Sequence, residues 1–338
     1  MTLVQGSGFG AVGRSAQNPQ PRTQSVLSLL LCLCGILWFC VSSVVLRCPA
    51  VQAYGFQDQS TQWKEGRSID FVVNLANVPA TISQEQLLDI VQRSLAPWAA
   101  IGTARLPFRV GEVMTDPDKV HPKQDGVNVI FWRDTNVPRG DLYAGKAYPF
   151  AEECDILLAP QAPFTLRDVQ ATLMHELGHC MGMAHTVAAS VMTKFQGLPA
   201  LGYDDHVAVS LLYPNPEQPL EEQTATLRGR VVRTNGDSLP GAVLLLIEGT
   251  GRIVLSGYSG RVDAQRRQDS SGKFELAGVP PGQHRLKLQP MDDFAAADPE
   301  GYGFSGTPPA AFKPQLVELP ELEAGDTHDL GKLAVEEQ

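Results

Sequence analysis

The sequence predicts an α+β domain followed by an all-β sandwich, and three observations predict it. Residues 54–213 mix strand-like and helix-like hydrophobic patterns. A proline-rich break, Pro214-Asn215-Pro216-Glu217-Gln218-Pro219, then reads as an extended linker. Beyond it the chain carries short strand signals punctuated by Gly and Pro. A chain of 338 residues has room for two domains, and 43% hydrophobic with 19% charged residues places it among globular rather than disordered proteins. The boundaries that follow are 1–53 for an export segment, 54–213 for the first domain, 214–223 for the linker and 224–338 for the sandwich.

Ile69 to Val73, Phe108 to Val113, Val127 to Trp132, Leu142 to Tyr148 and Cys154 to Leu158 are apolar or β-branched runs that read as strands. A helix opens after Thr81 or Ser83 and carries Leu87, Leu88, Val91, Leu95 and Trp98 on one face. A second starts near Thr165, with Asp168 three residues on as a capping box. A third follows Asp204-Asp205, with Val207, Val209, Leu211 and Leu212. About five strands and three helices make the α+β domain. In the second domain, Leu227–Val232, Ala242–Ile247, Ile253–Leu255, Lys273–Leu276 and His284–Leu288 read as strands. Turns such as Asn235-Gly236-Asp237 and Pro280-Pro281-Gly282 separate them.

The net charge is −10, and no acidic residue precedes position 54. So acidic a chain is a poor match for a phosphate backbone, which excludes nucleic acid as an expected partner. Val26 to Leu46 is apolar and uncharged, close to the roughly 20 residues that cross a bilayer as a helix. Arg14 and Arg22 before it keep the N-terminus cytoplasmic and send the rest across. Two readings stand: a signal peptide cut after Val51-Gln52-Ala53, or an uncleaved anchor through residues 26–46 that tethers the chain to the outer membrane face. Both export residues 54–338. Four of the six cysteines, Cys32, Cys34, Cys40 and Cys48, lie in or beside the apolar segment. Cys154 and Cys180 remain, either as a disulfide suited to an oxidising compartment or as two small buried hydrophobes.

The stretch His175-Glu176-Leu177-Gly178-His179-Cys180-Met181-Gly182-Met183-Ala184-His185 carries the chemistry. On a helix, His175 and His179 stand one turn apart and can hold one ion between them. Imidazole nitrogen suits zinc, and a catalytic zinc takes three protein ligands and a water. Glu176 is rotated off the ligand face, placed to act as general base on that water and then as proton donor. His185 lies six residues past His179, so a continuing helix would carry it roughly 240° away from the metal face. The helix must stop, and Gly182 is where a left-handed residue can stop it. The competing reading is a helix with ordinary surface histidines, but three of only seven histidines fall in this register.

This spacing, HExxHxxGxxH, resembles the metzincin signature. Ser190-Val191-Met192 resembles the Met-turn of that clan, with Met192 beneath the metal. Thr186 after the third histidine, the run Asp204 to Tyr213, and Cys154 to Leu158 are similar to matrixins in particular. The resemblance covers roughly Gln62 to Tyr213. It implies a zinc-dependent endopeptidase acting on extended polypeptides, with Ala144, Gly145, Lys146, Ala147 and Tyr148 as the edge strand that pairs with substrate. It also leaves room for structural calcium, for which Asp carboxylates and backbone carbonyls suffice. Departures are as informative. Arg47-Cys48-Pro49-Ala50 does not make a cysteine switch, Asp134 to Gly145 holds no histidine for a second zinc, and Thr193 replaces a tyrosine usual after the Met-turn. His121 reads as a surface residue. Two other readings remain: an amidase on cell-wall or other non-protein peptides, and a catalytically silent zinc-bearing adhesion protein.

The C-terminal segment resembles the carboxypeptidase regulatory-like, transthyretin-type sandwich. Gly229-Arg230-Val231-Val232, Leu239-Pro240-Gly241-Ala242, Asp269 to Leu276 and Gly278 to Leu286 carry that resemblance. It contains no catalytic cluster; His284 and His328 read as exposed. It is expected to stabilise or bind, and its ligand is not written in the fold.

Overall fold

In the computed structural model, the described residues are 63, 68–133, 144–150, 152–159, 165–194, 199–260, 270–292, 296 and 311–338. The apolar segment 26–46, its cysteines and the expected cleavage position at 51–53 lie outside them. Among the described residues, no helix is long and apolar enough to cross a membrane.

The chain is mixed α and β, mostly sheet with few helices. Strands β1 (Ile69–Asn74), β2 (Phe108–Met114), β3 (Asn128–Trp132), β4 (Gly145–Pro149) and β5 (Cys154–Leu158) form one sheet in the order β2-β1-β3-β5-β4. The first four in that order run parallel, and β4 alone is antiparallel, along β5 at the sheet edge. Helix α1 (Gln84–Ala99) starts where Ser83 accepts from the Gln86 N–H at 3.1 Å and the Gln86 side chain accepts from Ser83 N–H at 2.9 Å. It buries Leu87, Ile90, Val91, Leu95 and Trp98; of the face its spacing predicts, Leu88 is only half-buried and Ile90 takes its place. Helix α2 (Leu166–Cys180) is capped in the same reciprocal way by Thr165 and Asp168. Helix α3 (Tyr203–Leu212) includes the acidic pair rather than following it.

The C-terminal strands are β6 (Ala225–Arg233), β7 (Val243–Glu248), β8 (Ile253–Tyr258), β9 (Lys273–Val279), β10 (His284–Gln289), β11 (Gln315–Glu318) and β12 (Thr327–Val335). They form a four-stranded sheet, β11-β10-β7-β8, and a three-stranded one, β12-β6-β9. Leu244, Leu246, Leu286 and Leu288 of the first sheet share one apolar core with Leu227, Val231, Phe274 and Leu276 of the second. Strands β11 and β12 escaped the sequence reading because their burial alternates around polar residues such as Asp329 and Lys332, with no continuous apolar run. His284 is buried at 6% exposure, not exposed as expected: β10 turns it inward, where its Nε2 lies 2.9 Å from Pro280 O.

The proline-rich segment is not free chain. Asn215 N–H donates to Thr103 O (2.9 Å), Arg105 N–H to Tyr213 O (2.9 Å), and the Arg105 guanidinium pairs with Glu217 at 2.6 Å. Its C-terminal part closes into a single 3-10 turn, Leu220–Glu222. Composition suggested an extended linker because prolines deprive the segment of ladder hydrogen bonds. Side chains and the 102–105 loop supply substitutes. The apolar core is continuous across this joint, with Val207 and Val209 of α3 in the same cluster as Ala225 and Val279.

Candidate metal centre

Helix α2 ends in a motif that the His185 geometry requires. Gly182 has φ +94°, its N–H donates to His179 O (2.9 Å), and the Met183 N–H reaches back to Gly178 O (3.0 Å). These are the two bonds of a Schellman cap, and they turn the chain back on the helix. Two more donors close the helix end: Trp63 Nε1 to Cys180 O at 3.0 Å, and Tyr213 Oη to Met181 O at 2.9 Å.

The turn brings His175, His179 and His185 together, with one ligand atom of each within 4.8 Å of the others. Their ring centroids are 4.7, 4.9 and 5.3 Å apart. His175 Nδ1 lies 2.8 Å from Val191 O and His179 Nδ1 lies 2.9 Å from Met183 O. A carbonyl can only accept, so both Nδ1 atoms carry the proton and both Nε2 atoms keep a lone pair for a cation. Burial lowers the pKa of His175, and lowers that of His179 well below the usual value, with His175 and His185 adding to the effect. Neutral imidazole is the form that ligates. The donor set therefore fits a metal ion. Among the described residues this is the one group of three His, Cys, Asp or Glu with ligand atoms so close. The buried acids Glu153 and Asp155, on or beside β5, are engaged by backbone N–H groups of Lys123, Asp125, Gly126 and Val129.

Glu176 lies beside this triad on α2, buried at 7% exposure, and burial pushes its carboxyl up to about 7. Its Oε2 accepts the Ala147 N–H at 2.6 Å. The register explains why that amide is available. Ala159 N–H donates to Ala144 O, so even-numbered residues of β4 face β5. Gly145 and Ala147 then turn their backbone groups to the open edge. Of the five edge-strand residues, Ala144 precedes β4 and Gly145, Lys146, Ala147 and Tyr148 lie within it. Gly145 is required by the close approach of α2: a Cβ there would stand 2.7 Å from Thr172 Cγ2 and 3.1 Å from Glu176 Cγ.

Met192 is fully buried beneath α2, against Gly178. Cys154 on β5 and Cys180 at the end of α2 are joined by a disulfide, with Cα atoms 5.5 Å apart. His121 is exposed, with its Nδ1 against the Arg133 guanidinium. Most of the Asp134–Gly145 loop, and residues 195–198, lie outside the described residues.

Sequence reasoning assigned no role to Asp205. Its carboxylate is fully buried and accepts from Ser190 Oγ, from Val191 N–H (2.9 Å) and from Gly202 N–H (2.7 Å). It thereby fixes the Ser190–Met192 turn whose Val191 carbonyl orients His175. The signal was present as an acidic pair at a helix start, where one carboxylate suffices for the dipole. Gly178 was likewise passed over as a variable position of the motif.

No protein-family model matches this sequence, and no curated protein matches it. Among solved structures, the major pilin subunit of Bacillus cereus matches at 15% identity and TM-score 0.22, over 34% of this chain and 31% of the pilin. The 5-hydroxyisourate hydrolase of Klebsiella pneumoniae matches at 14% identity and TM-score 0.21, over 34% of this chain and 88% of that one. A putative carbohydrate binding protein from Pseudomonas aeruginosa matches at 13% identity and TM-score 0.17, over 34% and 90% respectively. Likenesses this slight carry no argument, and the function has to be reasoned from the site.

Proposed function

We propose that this chain is an exported zinc-dependent endopeptidase, built as a matrixin-like metzincin domain with a transthyretin-like sandwich behind it. The observation that carries the reading is the convergence of three histidines with a buried carboxylate that touches an open sheet edge. Zinc on the triad would supply Lewis-acid polarisation of a scissile carbonyl and a lowered pKa for an attacking water. Every other part is the work of this chain's own side chains and backbone. The outward backbone groups of Gly145 and the outward carbonyl of Ala147, whose N–H stays on Glu176, bind an extended peptide as one more strand, which sets its carbonyl over the triad. Glu176 takes the water's proton and returns it to the leaving amine. Anchoring of one oxygen by the Ala147 N–H leaves Oε1 for the proton. The Cys154–Cys180 bond supports an oxidising compartment, in keeping with export.

The test is cleavage of a denatured protein by the purified chain. Activity should disappear with a zinc chelator, return with zinc, and fall about 100- to 10,000-fold in Glu176→Gln with zinc retained. Bound zinc without cleavage of any polypeptide would overturn the peptidase reading. Release of amines from a cell-wall peptide instead would select the amidase.

A further inference from the structure

His175 and His179 are fixed by a helix, but His185 is carried by a loop, and that loop is docked on the C-terminal sandwich. Thr186 Oγ1 lies 2.5 Å from Ser256 Oγ on β8, across 70 residues of sequence. Both are buried, at 7% and 4% exposure. Val187 packs on the apolar cluster of Val243, Leu245, Tyr258 and Met291, and the Ala189 N–H donates to Ile253 O at 3.4 Å. Ser256 pairs with Leu245, so its hydroxyl shares the outer face of the sheet with that cluster. Its N–H, at the outer edge of β8, donates to Asp204 Oδ1 at 2.8 Å. An edge strand ordinarily exposes such groups to any passing strand. Here they are committed to the segment that follows the third histidine and to the first turn of α3.

We propose that the sandwich completes the metal centre: Ser256 is a positioning residue that holds Thr186, and through it the loop presenting His185. The proposal rests on the metal reading of the triad. A ligand on a loop must be ordered before it can bind, and each bond that orders it beforehand tightens the site. Within its own segment the loop has few ties, among them Thr186 N–H to Met192 O at 3.2 Å and Ala188 N–H to Thr186 Oγ1 at 3.2 Å. The hydroxyl pair and the Val187 contact add the far module's hold. Ser256 touches neither metal nor substrate; its hydroxyl acts through Thr186, whose side chain also hydrogen-bonds the Asp204 carboxyl, and Ser256→Ala leaves the Ser256 N–H to Asp204 bond in place.

The experiment loads the full chain with zinc and follows transfer of the ion to a chromophoric chelator, with thermal melts alongside. Ser256→Ala and Thr186→Val should each release zinc about 10-fold faster, within the range usual for residues that orient metal ligands. Thr186→Ser, which keeps the hydroxyl, should release at the original rate. Tyr203→Phe is the control: it removes the Tyr203 Oη to Gly278 O bond (3.0 Å) at the same module boundary and no bond to the His185 loop. It should leave zinc release unchanged even where its melting temperature falls. Unchanged release in Ser256→Ala, or equal acceleration in Tyr203→Phe, overturns the proposal while the metal reading stands. A wild-type chain that holds no zinc overturns both.

Discussion

Gly178 makes a prediction whose sign depends on its partner. A Cβ on Gly178 would stand 3.0 Å from Met192 Cε and 3.3 Å from Cγ, and closer still to the sulfur. Gly178 is buried and Met192 fully so, and the turn carrying Met192 is pinned by Asp205, so the sulfur has little room to retreat. Overpacking of this kind costs about 1–3 kcal/mol. Against it, Gly178 sits inside helix α2, where alanine is better than glycine by about 1 kcal/mol. Gly178→Ala should therefore destabilise by a net of about 0–2 kcal/mol. Met192→Ala alone should cost about 2–5 kcal/mol, since it empties a fully buried site. In the Met192→Ala background the clash is gone, and adding Gly178→Ala should now stabilise by about 1 kcal/mol. Urea unfolding of the four proteins in the cycle, without metal, measures the coupling. Additive effects, or a Gly178→Ala that stabilises the wild type as much as it does the Met192→Ala protein, would refute the reasoning.

The Cys154–Cys180 bond spans 26 residues and should contribute about 3–4 kcal/mol by loop closure, so the double substitution to serine should lower the urea midpoint accordingly. Because it ties the end of α2 to β5, that variant should also lose zinc faster at fixed temperature, read by transfer to a chelator. Asp204 gives the pH dependence. Burial pushes its carboxyl from 3.8 up to about 7, so the folded chain holds a proton there that the unfolded chain has lost. Its contribution is full below about pH 4 and disappears as pH rises through about 7, a difference on the order of 4 kcal/mol. Asp204→Asn keeps an acceptor for the Ser256 N–H and stays neutral. It should therefore gain stability over wild type as melts are taken from about pH 5 to about pH 8, and a constant difference would sink the idea.

What was legible in the sequence is what local chemistry encodes. The Thr165–Asp168 box, the Ser83 cap and the Gly182 stop each operate within one turn of helix, and each stands where residue type and spacing put it. The histidine triad is legible for the same reason, because one helix and one tight turn suffice to assemble it. What escaped is non-local. The proline-rich joint looked free because its partners, the loop at 102–105 and the Arg105 side chain, lie a hundred residues upstream. His284 looked exposed because nothing near it in sequence announces the turn that receives its Nε2. Asp205 and Gly178 were visible as letters, but their partners lie across a buried interface that no periodicity reports. The Thr186–Ser256 bond is the extreme case: two small hydroxyl residues, neither conspicuous, meet only because an edge strand of one module needs cover and a ligand loop of the other needs support. Each satisfies a polar group the other would otherwise strand in the interior. A module boundary drawn on composition therefore cuts contacts that reach the proposed metal centre, and a fragment ending at Tyr213 would carry all three histidines without the Ser256 contact to the loop that bears the third.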